Sequence, residues 1–182
     1  KKTTEGTSWG AVYAQFMQPT AEVEAQHAGI TVTRKIEAVD INGKTVTIAN
    51  ASTKNQVMTS GNAAAAKTNA AEVNNLKVGD RVKVTITIQA DRDYDFVQVA
   101  DKRAACMEPM NQLSGYHWGY YCAPKDNATY YYFDLLSKGK HTVSTVYYID
   151  RAGTYHTGTC SAQCAYAPEY RALAPSTTLN VK

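Results

Sequence analysis

Long apolar runs are missing from these 182 residues. No stretch of about 18 hydrophobic residues occurs, so no helix of this chain is expected to span a bilayer. Runs of like charge are missing as well. Lys+Arg 19 against Asp+Glu 16 leaves a net charge of +3, scattered along the chain. Without a basic arm or patch there is no electrostatic case for nucleic acid. Leucine is scarce, whereas Tyr (13), Thr and Val are plentiful, a balance that favours strands over helices. The chain opens on KKTTEGTSWG with neither an initiator Met nor a signal peptide, which fits a fragment or a processed chain. No serine sits in a Gly-x-Ser-x-Gly elbow, and nothing supports catalysis.

What is present reads as β structure. The length predicts one long domain, or one domain with a smaller appended piece, large enough to build a core without disulfides. SWGAVYAQF (8–16) reads as a strand and is followed by a polar connector, MQPTAEVEAQHAG. ITVTRKI (30–36) sets Ile30, Val32, Arg34 and Ile36 on one face. Asn42-Gly43 in DINGKTVTI is the strongest short hairpin signal. Residues 50–75, dominated by Asn, Ser, Thr and Ala, read as a long surface excursion. LKVGDRVKVTITIQA then alternates cleanly, with Val82, Val84, Ile86 and Ile88 predicted to face the core and Arg81, Lys83, Thr85 and Thr87 the other side. YDFVQVAD, TYYYFDLL, HTVSTVYYI, TYHTGTCSAQCAY and TTLNVK follow, parted by the turns SKGK and RAG. Short strands at regular spacing predict an all-β, immunoglobulin/fibronectin-like antiparallel β-sandwich of seven or more strands.

Candidate chemistry is thin. Asp91, Asp93 and Asp95 alternate like the start of a calcium loop, but the Gly and distal Glu that complete one are lacking. A charged turn between strands is the plainer expectation. His27, His117, His141 and His156 are dispersed. His141 and His156 can approach only if their strands are neighbours, and exposed strand histidines are expected. No cofactor or metal is expected. The segment CMEPMNQLSGYHWGYYC (106–122) gathers Tyr116, Trp118, Tyr120 and Tyr121 into a possible interface for sugar rings or a partner protein. The favoured reading is that they cover the open end of the sandwich and pack on TYYYF.

The order SWGAVYAQF, LKVGDRVKVTITIQADRDYDFVQVADKRAACMEPMNQLSGY, YYYFDLLSKGKHTVSTVYYIDRAGTYHTG and AQCAYAPEYRA resembles the C-terminal end of bacterial alpha-2-macroglobulin-like proteins. The likeness covers residues 76–182 well and 8–36 loosely, and the SGY-W-GYY variant resembles versions from Bacteroidetes. It implies a macroglobulin-like β-sandwich over residues 21–182, with 50–75 as a polar insertion longer than the family's. Residues 1–20 would be a strand and connector left from the preceding domain. It also implies a non-catalytic part of an envelope protein that traps proteases, located in the periplasm or anchored to the outer membrane. The partners would be upstream domains of the same parent and, through the whole parent, a target protease. No Cys-x-Glu-Gln occurs, so a thioester, like the bait region, would lie upstream. Trp9, Val12 and Tyr13, displaced from their own sheet, are expected to pair with an exposed edge in this chain or another copy. The alternatives are a free-standing carbohydrate- or protein-binding β-sandwich using 116–121, and an accessory domain of a hydrolase.

Four cysteines allow three connectivities. If TCSAQC is a strand, Cys160 and Cys164 stand about 13 Å apart at roughly 3.3 Å per residue, beyond the ~7 Å that a disulfide tolerates between Cα atoms. Two crossed patterns remain. A sandwich of the family's kind favours Cys106 with Cys164 and Cys122 with Cys160, in an oxidising compartment. The alternatives are four free thiols packed as small hydrophobes and a zinc site, for which no second matching Cys pair exists.

Overall fold

The computed structural model describes residues 5–7, 9–15, 17–45 and 71–182. After a short 3-10 turn at Thr20–Glu22 the strands are β1 (Gln26–Ala28), β2 (Ile30–Val39), β3 (Ala71–Leu76), β4 (Arg81–Ala90) and β5 (Tyr94–Lys102). They continue as β6 (Met107–Pro109), β7 (Gly115–His117), β8 (Tyr120–Pro124), β9 (Ala128–Leu136) and β10 (Gly139–Ile149). The last are β11 (Gly153–His156), β12 (Cys160–Cys164), β13 (Arg171–Ala174) and β14 (Thr177–Val181). Eleven form one sheet in the order β6-β10-β4-β2-β1-β13-β12-β5-β9-β8-β7, and β11-β14-β3 form a second.

The large sheet is folded over on itself. β9 and β10 are far apart in its order, yet the Thr129 hydroxyl meets the Tyr147 hydroxyl at 2.7 Å and Tyr131 meets Thr145 at 2.7 Å. Strands so distant in the ladder can touch only across a core, which is the geometry of a sandwich. The alternation in β4 supplies that core. Val82, Val84, Ile86 and Ile88 are all within 1 % of complete burial, each contributing on the order of 1.5–3 kcal/mol. β4 is central because both its edges are paired, to β2 from Ile30↔Ala90 to Val39↔Arg81 and to β10 from Gly139↔Ala90 to Tyr148↔Arg81.

One glycine sets the link between β1 and β2. Gly29 (φ +73) reverses the chain between β1 and β2, with Ala28 opposite Ile30. A Cβ there would run into the Tyr94 hydroxyl, so both the backbone conformation and the space require glycine. The Asn42-Gly43 turn also forms: Asp40 Oδ1 accepts the backbone N–H of Asn42 and Lys44, and Val39 bridges Thr45. The rest of that predicted hairpin, from residue 46, lies outside the described residues.

Several expectations are corrected. The excursion drawn over 50–75 does not extend to 75, because Ala71–Leu76 is β3, and residues 50–70 lie outside the described residues. β3 pairs β14 in parallel, against an antiparallel expectation, and the register shifts around Asn75, whose φ is +64. TYHTGTCSAQCAY is two strands: β11 belongs to the small sheet and β12 to the large one. Trp9, Val12 and Tyr13 are unpaired coil, 93 %, 98 % and 93 % exposed, so they occupy no edge of their own chain. Among the described residues no helix is long and apolar enough to cross a membrane.

Candidate functional site

The segment 106–122 connects the two margins of the large sheet. Met107–Pro109 pairs with β10 at one edge, and Gly115–His117 forms the other edge by pairing with β8. The turn between β7 and β8 is Trp118–Gly119, with Gly119 at φ +88. Alternation along this hairpin sorts the aromatics. Tyr120 points inward, 5.9 Å from the ring of Tyr131 and 5.5 Å from Phe133, and His117 stacks on it at 5.2 Å. On the outer face Tyr116 lies edge-on to Tyr121 at 4.8 Å, Tyr121 tilts on Tyr132 at 6.4 Å, and Tyr132 stacks on Tyr130 at 6.2 Å. Tyr116 is 80 % exposed and Trp118 fully so. The four candidates therefore divide: Tyr120 roots the hairpin in the core, while Tyr116, Trp118 and Tyr121 present an outer surface.

The favoured disulfides do not form: all four cysteines are buried free thiols. β12 runs antiparallel to β5, with Cys160 opposite Asp101 and Cys164 opposite Val97. It is thus Cys160, not Cys164, that lies at the end of β5 leading to Cys106. Cys164 stands four residues further along, at the opposite end. Cys122 and Cys160 are separated as well. Cys122 faces Tyr131, Tyr131 faces Val99, and Val99 faces Ala162. Three strand spacings of about 4.8 Å put β8 roughly 14 Å from β12, twice the reach of a disulfide. Burial pushes the Cys106 thiol up to about 11 and the Cys160 thiol well above its usual range, so these cysteines behave as small apolar side chains.

A buried ion pair went unread in the sequence. Arg34 Nη1 donates to Asp101 Oδ1 at 3.0 Å, with both side chains 2 % exposed. Arg34 Nη2 donates to Thr157 Oγ1 and to the Pro175 carbonyl, each at 2.7 Å, and Thr157 Oγ1 also accepts the Thr177 N–H at 2.8 Å. One guanidinium thereby ties β2 and β5 to the two links that lead into and out of the small sheet. Burial pushes the Asp101 carboxyl up, and Arg34 pulls it back. The signal was available: Arg34 shares a face with Ile30, Val32 and Ile36, and a charge on an apolar face demands a partner.

The other end of β12 is open. A cleft of ≈ 360 Å³ is lined by Arg92, Asp95, Phe96, Cys164, Tyr166 and Tyr170. Phe96 adopts φ +53 within β5, an uncommon conformation for a bulky residue, and meets Tyr166 edge-on at 5.3 Å. The aspartates serve the turn beside it. Asp91 accepts from Arg92 and, at 2.6 Å, from the Tyr94 hydroxyl, which hold its carboxyl below the usual range. Asp93 Oδ1 accepts the Lys138 N–H at 2.6 Å. Among the described residues no three His, Cys, Asp or Glu side chains are placed to hold a metal. His141 and His156 belong to different sheets and do not face each other. His141 bonds the Ser137 carbonyl at 2.7 Å and His156 the Thr178 hydroxyl at 3.1 Å.

Comparison with known proteins fits this architecture. No curated protein matches the chain. Among solved structures it matches Salmonella alpha-2-macroglobulin reacted with methylamine, at 18 % identity and TM-score 0.61 over 89 % of this chain and 10 % of that one. It matches trypsin-activated alpha-2-macroglobulin from Escherichia coli at 16 % identity and TM-score 0.62, over 88 % and 11 %. It also matches the native Escherichia coli protein spanning domain MG7 to the C-terminus, at 14 % identity and TM-score 0.61, over 89 % and 25 %. The chain thus spans about a tenth of the longer relatives. At these identities the likeness speaks for the fold. The family description "Bacterial Alpha-2-macroglobulin MG10 domain" matches residues 29–169, more than half of the sequence, and the chain belongs to that family.

Proposed function

We propose that this chain is the non-catalytic C-terminal domain of a bacterial alpha-2-macroglobulin-like protein, one part of an envelope inhibitor that traps proteases. The family match over residues 29–169 carries the reading. The fold shared with an Escherichia coli fragment spanning domain MG7 to the C-terminus agrees with a place in that part of the parent. The domain's contribution is structural: it presents surfaces to its neighbours while capture belongs to the whole parent. The segment around Trp9, Val12 and Tyr13 belongs to the preceding domain, and the exposure of large apolar side chains without partners supports this. Periplasmic or outer-membrane-anchored placement follows from the same reading.

The test is to obtain the full reading frame and challenge the purified parent with trypsin and with elastase. The expected parent is about ten times the length of this domain. It should change mobility on a native gel after one cleavage and retain the protease. A parent of two or three domains, or one that is degraded without retaining the enzyme, overturns the reading.

A further inference from the structure

We propose that the outer face of the β7–β8 hairpin, led by Tyr116 and Trp118 and continued by Tyr121 and Tyr132, docks against a neighbouring domain of the same parent polypeptide. This rests on the reading of the chain as one domain of a long alpha-2-macroglobulin-like protein.

The surface has the composition of an interface centre. Tyr116 and Trp118 are 80 % and 100 % exposed, with Leu113 and Met110 exposed in the same segment. From Pro109 to Pro124 there is no Asp, Glu, Lys or Arg. Aromatic enrichment with charge depletion marks the buried centre of interfaces rather than ordinary surface. The hairpin is also held in place beforehand. Tyr120 is anchored on Tyr131 and Phe133, and β8 pairs β9 from Tyr121↔Tyr132 to Pro124↔Thr129. A pre-ordered hairpin loses little conformational freedom on docking.

Geometry and area select the occupant. The outer rings interlock at 65° and 42° rather than lying flat in one plane, which gives a sugar polymer no continuous stacking platform. β7 has three residues, too few to add a strand from another molecule. Fully burying an aromatic side chain covers roughly 150–250 Å², but Tyr121 is already half-buried and Tyr132 only 40 % exposed, so the area left to cover falls short of the ~800 Å² per partner of a stable complex between separate molecules. Between domains of one chain the same contact is sufficient, because tethering supplies a local concentration of about millimolar.

The experiment is hydrogen–deuterium exchange on the full-length parent, comparing the wild type with a Tyr116→Ser, Trp118→Ser double variant. In the wild type, peptides over 113–121 and one stretch of another domain should be protected. In the variant both should exchange about tenfold faster, while peptides of β4 and β10 stay unchanged and report an intact fold. Rapid exchange of the hairpin in the wild type overturns the proposal. So does a change confined to the hairpin, protection that grows with protein concentration (a second copy), or protection that appears only with added glycan. A parent without further domains removes the functional reading too, and its intact mass shows that beforehand. A multidomain parent with a free hairpin removes this inference alone.

Discussion

β12 begins and ends on a cysteine, and its two ends are finished in opposite ways. At Cys160 the sandwich is closed by a charged pair withdrawn from water, Arg34 and Asp101, with Thr157 and the Pro175 carbonyl accepting from Nη2 of the guanidinium. At Cys164 it is left open, rimmed by Phe96, Tyr166 and Tyr170, and its order comes from ring contacts and from the glycine reversal at Gly29. The closed end joins four separate parts of the chain through one side chain. The open end distributes its contacts, so no single ring there carries as much.

The largest effect should therefore come from the closed end. Arg34→Ala strands Asp101 as an unpaired buried carboxylate, and breaking such a pair costs about 3–5 kcal/mol. Denaturant unfolding should show a lower midpoint with an unchanged slope. The double variant Arg34→Met, Asp101→Leu should recover most of the loss, since a packed apolar replacement is near neutral. A cost below about 1 kcal/mol for Arg34→Ala, typical of surface ion pairs, would mean that water reaches the pair and the two ends do not differ.

At the open end the sensitive position is Gly29 rather than a ring. Gly29→Ala forces a non-glycine residue into φ +73 and drives its Cβ toward the Tyr94 hydroxyl, for a loss of about 2 kcal/mol. Adding Tyr94→Phe removes the opposing atom and should make the pair of changes less costly than their sum. Strict additivity would show that backbone strain alone sets the cost.

The thiols sharpen the comparison next. A thiol reagent should leave all four cysteines unmodified in the folded protein and label four on unfolding. Non-reducing peptide mapping should find no cross-link. A Cys122–Cys160 bridge would require β8 and β12 to be neighbours and would contradict the strand order.

What could be read from sequence follows from the range of the interactions involved. The core face of β4 and the Asp40–Lys44 turn are local: alternation and Asn-Gly chemistry act within a few residues. The fibronectin-like sandwich followed from these signals together with the family resemblance. The partner of β3 is a distant strand, β14, and no pattern in AEVNNL announces a parallel pairing. The sheet switch between His156 and Cys160 was hidden for a similar reason. Gly158 looked like one small residue within a strand, whereas it passes so close to the Lys102 side chain that a Cβ would collide. The disulfide expectation failed on strand direction: an antiparallel β12 presents its first cysteine where its last was anticipated. At the hairpin the aromatic types were legible, but Tyr120 separates from Tyr116 only once the turn is fixed at Trp118–Gly119.

An effect that shows only at alkaline pH belongs to Cys106 at the closed end. Burial pushes this thiol from an ordinary value near 9 up to about 11. Between those values the folded protein keeps a proton that the unfolded chain has released. Since stability falls with rising pH wherever the native state binds more protons, the contribution is complete below pH 9 and is lost progressively up to pH 11. Burial moves the Cys122 and Cys160 thiols in the same direction, so the wild type should lose stability steadily over this range. Cys106→Ala should lose it less steeply, while differing from the wild type by a constant amount below pH 9. Urea unfolding at half-unit steps from pH 8 to 11 measures the difference between the two curves. Parallel curves throughout would show that solvent reaches the Cys106 thiol and that the closure at this end stops at the Arg34–Asp101 pair.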